Sequence, residues 1–149
     1  MQDILTCAMG LDVHRDIIVA CLVKGAVDAE PEAETRTFST LIPEMQKLRD
    51  WVIESECRNI AMESTGIYWQ PIYEMLESCF DGEISILVVN ARHMKNVPGR
   101  KTDMKDAQWI ATLLRAGLLK GSFIPDKAFR ELRHLTRYRK SVVHDITAQ

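Results

Sequence analysis

The chain has 149 residues, of which 46% are hydrophobic and 27% are charged, and its formal net charge is −2 at pH 7. This length suits one globular domain, and this composition excludes a disordered or fibrous protein. No apolar run approaches the roughly 20 residues that a membrane-spanning helix needs, and the N-terminus lacks the pattern of a secretory signal peptide. We therefore expect a cytoplasmic protein with no membrane partner.

The distribution of charges and cysteines indicates which partners and sites the protein can have. Residues 1–91 carry 6 Lys and Arg against 16 Asp and Glu, whereas residues 92–149 carry 13 against 5. A basic half suggests a polyanion partner, although a solvated helical surface would show the same bias. The sequence contains no Cys-x-x-Cys motif. We therefore interpret its four cysteines as reduced packing residues rather than zinc ligands or nucleophiles; they are Cys7, Cys21, Cys57 and Cys79.

The first half of the chain predicts a three-stranded antiparallel meander followed by a helix. Three segments have the apolar or alternating pattern of strands: Thr6–Val13, Ile17–Val23 and Thr35–Ser39. A Pro- and Glu-rich loop at 28–34 precedes the third strand. Helical spacing then runs over Ile42–Glu56, with Thr40 as a candidate cap.

The second half predicts strands that alternate with helices. The strands are Asn59–Met62 and Ile84–Val89, and the helices are Ile67–Cys79, Asp103–Ala116 and a long one from Asp126 onward. The resulting order, β-β-β-α-β-α-β-α, is that of the ribonuclease H-like fold. We therefore predict an α/β fold with a mixed sheet flanked by helices and a C-terminal helical extension.

Four acidic residues fall where this fold would bring them to one edge of the sheet: Asp12, Glu63, Asp103 and Asp106. Asp12 interrupts the first strand, Glu63 closes the fourth, and the other two share one face of the next helix. Carboxylates at the ends of core strands are costly unless a cation lies between them. The set therefore predicts a site for Mg²⁺ or Mn²⁺ and phosphodiester chemistry.

Structural roles remain open for three of these acids. Asp103 could cap its helix, with Asp106 in the first turn, where acids suit the helix dipole. Glu63 could cap the helix that follows it. Asp12 has little structural use inside a core strand, and the nearby Asp16 suits the turn better.

Basic residues surround the paired aspartates and would hold a nucleic-acid backbone: Arg92, Lys95, Arg100, Lys101 and Lys105. Solvated cations at the start of a helix are the alternative interpretation. Tyr68 and Trp69 could stack on bases, or they could pack in the core of their helix.

Four segments that follow one another in the chain carry a family resemblance: Gly10-Leu-Asp-Val-His14, Met62-Glu-Ser-Thr-Gly-Ile-Tyr-Trp69, Pro98-Gly-Arg-Lys-Thr-Asp-Met-Lys-Asp-Ala107 and Gly117-Leu-Leu-Lys-Gly-Ser-Phe-Ile-Pro125. Together they resemble the N-terminal domain of the DEDD transposases, the IS one-ten insertion-sequence family that includes the Piv-type DNA invertases. The resemblance implies a transposase or DNA recombinase with a RuvC-like ribonuclease H fold over residues 1–120. It also implies a catalytic, metal-binding tetrad: Asp12, Glu63, Asp103 and Asp106.

The chain departs from the family's pattern at its C-terminal end. The family continues through a helical coiled coil into a second domain with a catalytic serine, whereas this chain stops at Gln149. We therefore interpret residues 121–149 as the start of the coiled coil in a truncated chain, and we give Ser64 no nucleophilic role. The resemblance implies DNA as a partner, together with a structured RNA encoded by the element.

An apolar stripe from Asp126 onward predicts a homodimer or higher oligomer formed through the C-terminal helix, unless that helix folds back onto its own sheet. The alternative to a nuclease-type enzyme is a nucleic-acid-binding and dimerisation module without chemistry of its own. An actin-like sugar kinase half ranks last, because a Gly-rich phosphate loop is missing after Asp12.

Overall fold

A computed structural model of the chain describes residues 4–64, 66–90, 94 and 106–119. The predicted helix from Asp126 onward lies outside these residues. None of the helices in the described part is long and apolar enough to cross a membrane. The bounded elements are β1 (Cys7–Val13), β2 (Ile17–Lys24), β3 (Glu32–Ser39), α1 (Ile42–Glu54), β4 (Asn59–Ser64), α2 (Trp69–Leu76), a 3₁₀ turn (Cys79–Gly82), β5 (Ser85–Val89) and α3 (Asp106–Arg115).

The strands form one mixed sheet in the order β3-β2-β1-β4-β5, with β1 at its centre. β1, β2 and β3 pair antiparallel, and β4 pairs parallel with both β1 and β5. A tight turn joins β1 to β2, where the His14 N–H donates to the Ile17 carbonyl at 2.9 Å. The parallel pair of β4 and β5 needs a crossover, which α2 supplies. The predicted order of elements is confirmed as far as α3.

Side chains on β1 alternate between two cores, one on each face of the sheet. Met9, Leu11 and Val13 enter the larger core, where they join residues of α1 and α2. Ala8 lies on the opposite face and packs with Ile110 of α3. Asp12 follows Ala8 in the same alternation, so its side chain belongs to the face that α3 covers.

Gly10 lets α3 approach the centre of this second face at backbone distance. A Cβ built on Gly10 would collide with the Ala107 carbonyl oxygen and would lie only 2.6 Å from the Ala111 nitrogen. Real Cβ atoms do not tolerate such contacts with backbone, so no side chain fits here while the helix stays in place. A glycine in the middle of β1 is therefore a packing requirement of α3.

Arg115 fixes the other end of α3. Its side chain is buried, and its Nε donates to the Leu5 carbonyl at 2.8 Å. One terminal nitrogen, Nη2, donates to the carbonyls of Gly25 and Ala26 at 2.9 and 3.0 Å. The buried guanidinium thus satisfies three backbone acceptors and joins α3 to the start of β1 and to the loop after β2.

Several predicted boundaries in the first half were wrong. β3 begins at Glu32, inside the predicted loop 28–34, because its backbone pairs along the whole length of β2. As an exposed edge strand it needs no apolar alternation to form these hydrogen bonds. The candidate cap was also wrong: the Thr40 hydroxyl donates to the Arg15 carbonyl at 3.0 Å, and Leu41 occupies the N-cap position of α1.

The helix predicted at Ile67–Cys79 is shorter in the structure. α2 runs only from Trp69 to Leu76, and a separate 3₁₀ turn follows it. Phe80 and Asp81 in this turn both take a φ of 54°, which ends the α-helical path even though the apolar spacing continues to the buried Cys79. Positive φ angles leave no periodic signal in a sequence.

We expect Gly10→Ala to lower the free energy of unfolding by about 1–3 kcal/mol, because the new methyl group must push α3 away from β1. Gly82→Ala is the matched control, since Gly82 has a φ of +83° but nothing within 4 Å of a built Cβ. The control should show only the backbone strain of about 1 kcal/mol. Urea denaturation measures the free energy of unfolding of both variants. An equal loss of stability in the two would contradict the close contact between Gly10 and α3.

We expect Arg115→Met to cost about 3 kcal/mol of stability, since three backbone carbonyls near the chain start and the β2–β3 loop lose their donor. The exposed Arg15, whose side chain is 79% accessible, provides the control. Arg15→Met should change stability by about 0.5 kcal/mol or less. Thermal unfolding of the two variants checks this, and an Arg115 variant as stable as the control would be the contrary result.

Candidate active site

The parallel pairing of β1 and β4 sets two of the predicted acids side by side. Asp12 and Glu63 are direct register partners, each one residue before the end of its strand. Glu63 shares the alternation of Ala61, which packs with Ala8 on the α3 side of the sheet. Both carboxylates therefore rise from the same face, on strands about 4.8 Å apart. This is the juxtaposition that the sequence predicted for these two residues.

The direction of α3 brings a third acid to the same end of the sheet. Ala107, near the start of the helix, lies against Gly10, two residues before Asp12. The Arg115 carbonyl, at the end of the helix, accepts hydrogen bonds from the Ile4 and Leu5 N–H groups ahead of β1. The helix thus runs antiparallel to β1. Its first residue, Asp106, begins at the carboxyl ends of β1 and β4.

The described residues account for only part of the predicted tetrad. Asp103 lies outside them, as do the predicted backbone-binding cations Arg92, Lys95, Arg100, Lys101 and Lys105. Within the described part of the chain, no three His, Cys, Asp or Glu side chains lie close enough to hold a metal ion together. The structure therefore pairs Asp12 with Glu63 and places Asp106 at their end of the sheet.

The structure bears differently on the structural roles considered for Glu63 and Asp106. Glu63 lies within β4 and α2 begins only at Trp69, so the alternative interpretation of Glu63 as a cap of the next helix was wrong. Asp106 stands in the first turn of α3, where a carboxylate also favours the helix dipole. A purely structural role for Asp106 therefore stays open, as it was from the sequence.

His14 contacts this site, but the sequence analysis did not predict it as a site residue. Its Nε2 lies 3.0 Å from Oδ2 of Asp12, whose side chain is only 17% exposed. The i, i+2 spacing of Asp12 and His14 was a partial signal, but His14 lies beyond the end of β1, so its contact depends on how the following turn folds. A histidine here constrains the carboxylate of Asp12 from its solvent side.

The two aromatic residues after β4 have different environments. Trp69 is partly buried, and its ring meets the Tyr73 ring edge-on with centroids 5.5 Å apart. It therefore packs in the core, as one of the two interpretations held. Tyr68 is 41% exposed in the turn between β4 and α2. It alone of the pair is available to a ligand at this end of the sheet.

Comparison with known proteins gives one family and a set of similar folds. The profile of the IS110-type DEDD transposases, described as transposase, matches residues 9–149. No curated protein matches the chain. Thermus thermophilus RuvC in complex with Holliday junction substrate is similar, with a TM-score of 0.50 at 13% identity over 79% of this chain and 100% of that one.

Two further solved structures are more distant. Thermus thermophilus RuvC alone gives a TM-score of 0.47 at 12% identity, over 80% of this chain and 85% of that chain. The Vms1 mitochondrial localization core gives 0.39 at 11% identity, over 81% and 58%.

The likeness to the RuvC complex confirms the predicted α/β, RuvC-like ribonuclease H fold, a mixed sheet flanked by helices. The family match covers all four sequence segments that carried the resemblance, and it extends over nearly the whole chain. This chain belongs to the IS110-type DEDD transposase family.

Proposed function

We propose that this domain performs the metal-dependent phosphodiester chemistry of a transposase on DNA. Asp12, Glu63, Asp103 and Asp106 would hold Mg²⁺ or Mn²⁺ as its catalytic tetrad. The observation that supports this most is the register pairing of Asp12 with Glu63 at the carboxyl ends of two parallel strands. Two adjacent carboxylates on one face repel each other, and a shared cation relieves that repulsion.

The donor chemistry of the site suits a hard divalent cation. Carboxylate oxygens are the ligands that Mg²⁺ prefers, and the ion commonly keeps several waters while using only one or two protein carboxylates. Two paired acids therefore suffice to begin a site, with Asp106 and Asp103 on the incoming helix to complete it. When bound, such an ion polarises the phosphate and activates an attacking oxygen.

His14 would act as a positioning residue for Asp12. With a proton on Nε2, the imidazole would donate to Oδ2 at the observed 3.0 Å and would leave the other carboxylate oxygen for a metal ion. Hydrogen bonds of this kind orient metal-ligating groups, and their loss typically lowers metal affinity 10- to 100-fold. The contact therefore fits a carboxylate that must hold one fixed orientation.

DNA is the proposed substrate, bound through the basic segment that precedes α3. Arg100, Lys101 and Lys105 would contact the phosphate backbone, with Arg92 and Lys95 beside them. Thermus thermophilus RuvC, a protein of this fold, forms a complex with a Holliday junction substrate, which supports the proposal by analogy. Exposed Tyr68 would meet a base near the acids.

Further parts of the proposal rest on the sequence pattern and the family resemblance. They are the domain division into residues 1–120 and 121–149, self-association through the C-terminal helix, an element-encoded RNA as a second partner, and action at the bacterial nucleoid in the cytoplasm. The alternative function remains a nucleic-acid-binding and dimerisation module. It is favoured by the fact that no three metal-ligating side chains converge within the described residues.

We predict that millimolar Mn²⁺ raises the melting temperature of this protein relative to EDTA. At a concentration about 100 times the dissociation constant, the stabilisation is about 2.7 kcal/mol, or roughly 5 °C or more for a chain of this size. Asp12→Asn and Glu63→Gln should abolish the shift, because each removes a carboxylate ligand. His14→Ala should weaken the shift without abolishing it.

Asp16→Asn is the control for this metal experiment. Asp16 lies four residues beyond Asp12 in the turn before β2, and its side chain is 85% exposed. This variant should keep the full response to Mn²⁺. Equal melting of the unsubstituted protein in Mn²⁺ and EDTA would contradict metal binding by this domain, and so would a shift that survives both Asp12→Asn and Glu63→Gln.

DNA binding should weaken as salt rises, with a slope of roughly −0.9 in log K against log salt for each phosphate neutralised. Replacing Arg100, Lys101 and Lys105 with Ala should lower affinity for all sequences and flatten that slope. Lys47→Ala with Arg49→Ala is the control, because α1 packs on the opposite face of the sheet from α3. Fluorescence anisotropy at several salt concentrations measures this, and an unchanged slope would exclude the segment before α3 as the contact surface.

A further inference from the structure

Two of the four cysteines meet at the end of the sheet opposite the acids. Cys7 is the first residue of β1, and Cys57 lies two residues before β4. Because Met9 pairs with Ile60, the same register places Cys7 beside position 58, one residue from Cys57. Both side chains belong to the larger core, where Cys57 is fully buried and Cys7 is half-buried. The two thiols are near enough for each to shift the pKa of the other.

The distance between the two backbones suits a covalent link. The β1–β4 pairing begins at Met9 and Ile60, so the cysteines lie just beyond it. Extending this register with a strand spacing of about 4.8 Å and a rise of about 3.3 Å per residue gives a Cα separation of roughly 6 Å. Disulfides span Cα separations of about 4.4–6.8 Å. The Cys57 thiol lies 3.3 Å from the Asn59 carbonyl and can give its single proton to that oxygen, which orients the sulfur.

The surroundings make the two thiols chemically unequal. The hydrogen-bonding interaction with Cys57 lowers the pKa of Cys7 to about 7, against the opposing effect of burial, and the charges of Lys24 and Arg115 add to the lowering. The same hydrogen bond and deep burial raise the pKa of Cys57. Lys24 is the direct cross-strand partner of Cys7. Cys7, which is also the more exposed of the two, is thus the thiol that ionises more readily, and Cys57 stays protonated.

The remaining cysteines lack this arrangement. Burial raises the pKa of Cys21 and of Cys79, so both thiols are protonated and inert at neutral pH. Both fit the interpretation of the cysteines as packing residues. Cys7 does not fit it, because a half-buried thiolate beside a second thiol is a reactive arrangement.

We propose that Cys7 and Cys57 form an oxidation-sensitive pair, in which Cys7 reacts with hydroperoxides and Cys57 closes a disulfide with it. This proposal is independent of the metal site, since the pair lies at the amino ends of β1 and β4 and the acids lie at their carboxyl ends. The bond would link β1 to the segment between α1 and β4, next to strands that are already paired.

The reaction balances with hydrogen peroxide as the oxidant. The Cys7 thiolate attacks one peroxide oxygen, the O–O bond breaks, and hydroxide leaves with the bonding electron pair and takes up a proton to form water. Cys7 is then a sulfenic acid. The Cys57 sulfur attacks the Cys7 sulfur, the S–O bond breaks, and the departing oxygen takes the Cys57 proton and leaves as water. Two electrons pass from the two thiols to one peroxide.

The test is mass spectrometry of the full 149-residue protein after treatment with hydrogen peroxide. We expect a loss of about 2 Da, for two hydrogens, and a linked peptide pair containing Cys7 and Cys57. The oxidised protein should melt roughly 5 to 10 °C higher than the reduced protein, because the link closes a long loop of the unfolded chain. In Cys57→Ala, dimedone should instead trap a sulfenic acid on Cys7.

A second measurement follows alkylation of the reduced protein by iodoacetamide as a function of pH. Cys7 should react first, with a midpoint near its lowered pKa of about 7, and Cys57→Ala should move that midpoint upward. Cys79→Ala is the control and should leave both the midpoint and the linked peptide unchanged. A peroxide-treated protein with Cys7 still reduced would overturn the proposal. So would a disulfide to Cys21 or Cys79, or a Cys7 midpoint that Cys57→Ala does not move.

Discussion

The close contact between Gly10 and the backbone of α3 is the constraint on which the rest of the α3 face depends. The residues that meet there are small: Ala8, Gly10 and Ala61 on the sheet, and Ala107 and Ala111 on the helix. Small residues let the helix backbone approach the strand directly, and larger side chains such as Ile110 and Leu114 pack around that contact. Arg115 then fixes the far end. Because both ends of α3 are fixed, the first residue of the helix lies at the carboxyl ends of β1 and β4.

That geometry explains how the sheet tolerates two adjacent carboxylates at this end, although they cost stability. Two register-paired carboxylates, Asp12 and Glu63, repel each other and sit at the margin of a packed core. The larger core on the opposite face carries most of the big apolar side chains and is unaffected by them. The sheet therefore separates two tasks: one face holds the fold together, and the other positions polar groups at its edge. Strained or repulsive groups concentrated at one edge are typical of functional sites.

The sheet also separates two kinds of chemistry along its strands. The carboxylates and His14 lie at the carboxyl ends of β1 and β4, whereas Cys7 and Cys57 lie at the amino ends of the same pair. Both arrangements arise from one structural fact, the parallel register of β1 and β4. Parallel strands put like ends together, so residues far apart in sequence become neighbours at each end. The proposed metal site and the proposed thiol pair therefore lie on the same two strands without sharing atoms.

The sequence by itself determined the order of elements, the fold class and the positions of the candidate acids, because apolar periodicity and motif spacing are local properties. The sequence correctly predicted that Asp12 and Glu63 lie near strand ends. It predicted the bounds of β3 and α2 only approximately, because neither the pairing of an edge strand nor the positive φ of Phe80 produces a periodic pattern in the sequence. Only the tertiary structure decided the direct pairing of Asp12 with Glu63, the contact of His14 with Asp12, and the meeting of Cys7 with Cys57. The two cross-strand pairings join residues that lie far apart in the chain, and the His14 contact depends on how the turn after β1 folds. Such contacts are set by strand register, helix direction and side-chain orientation, which the packing of the whole domain selects.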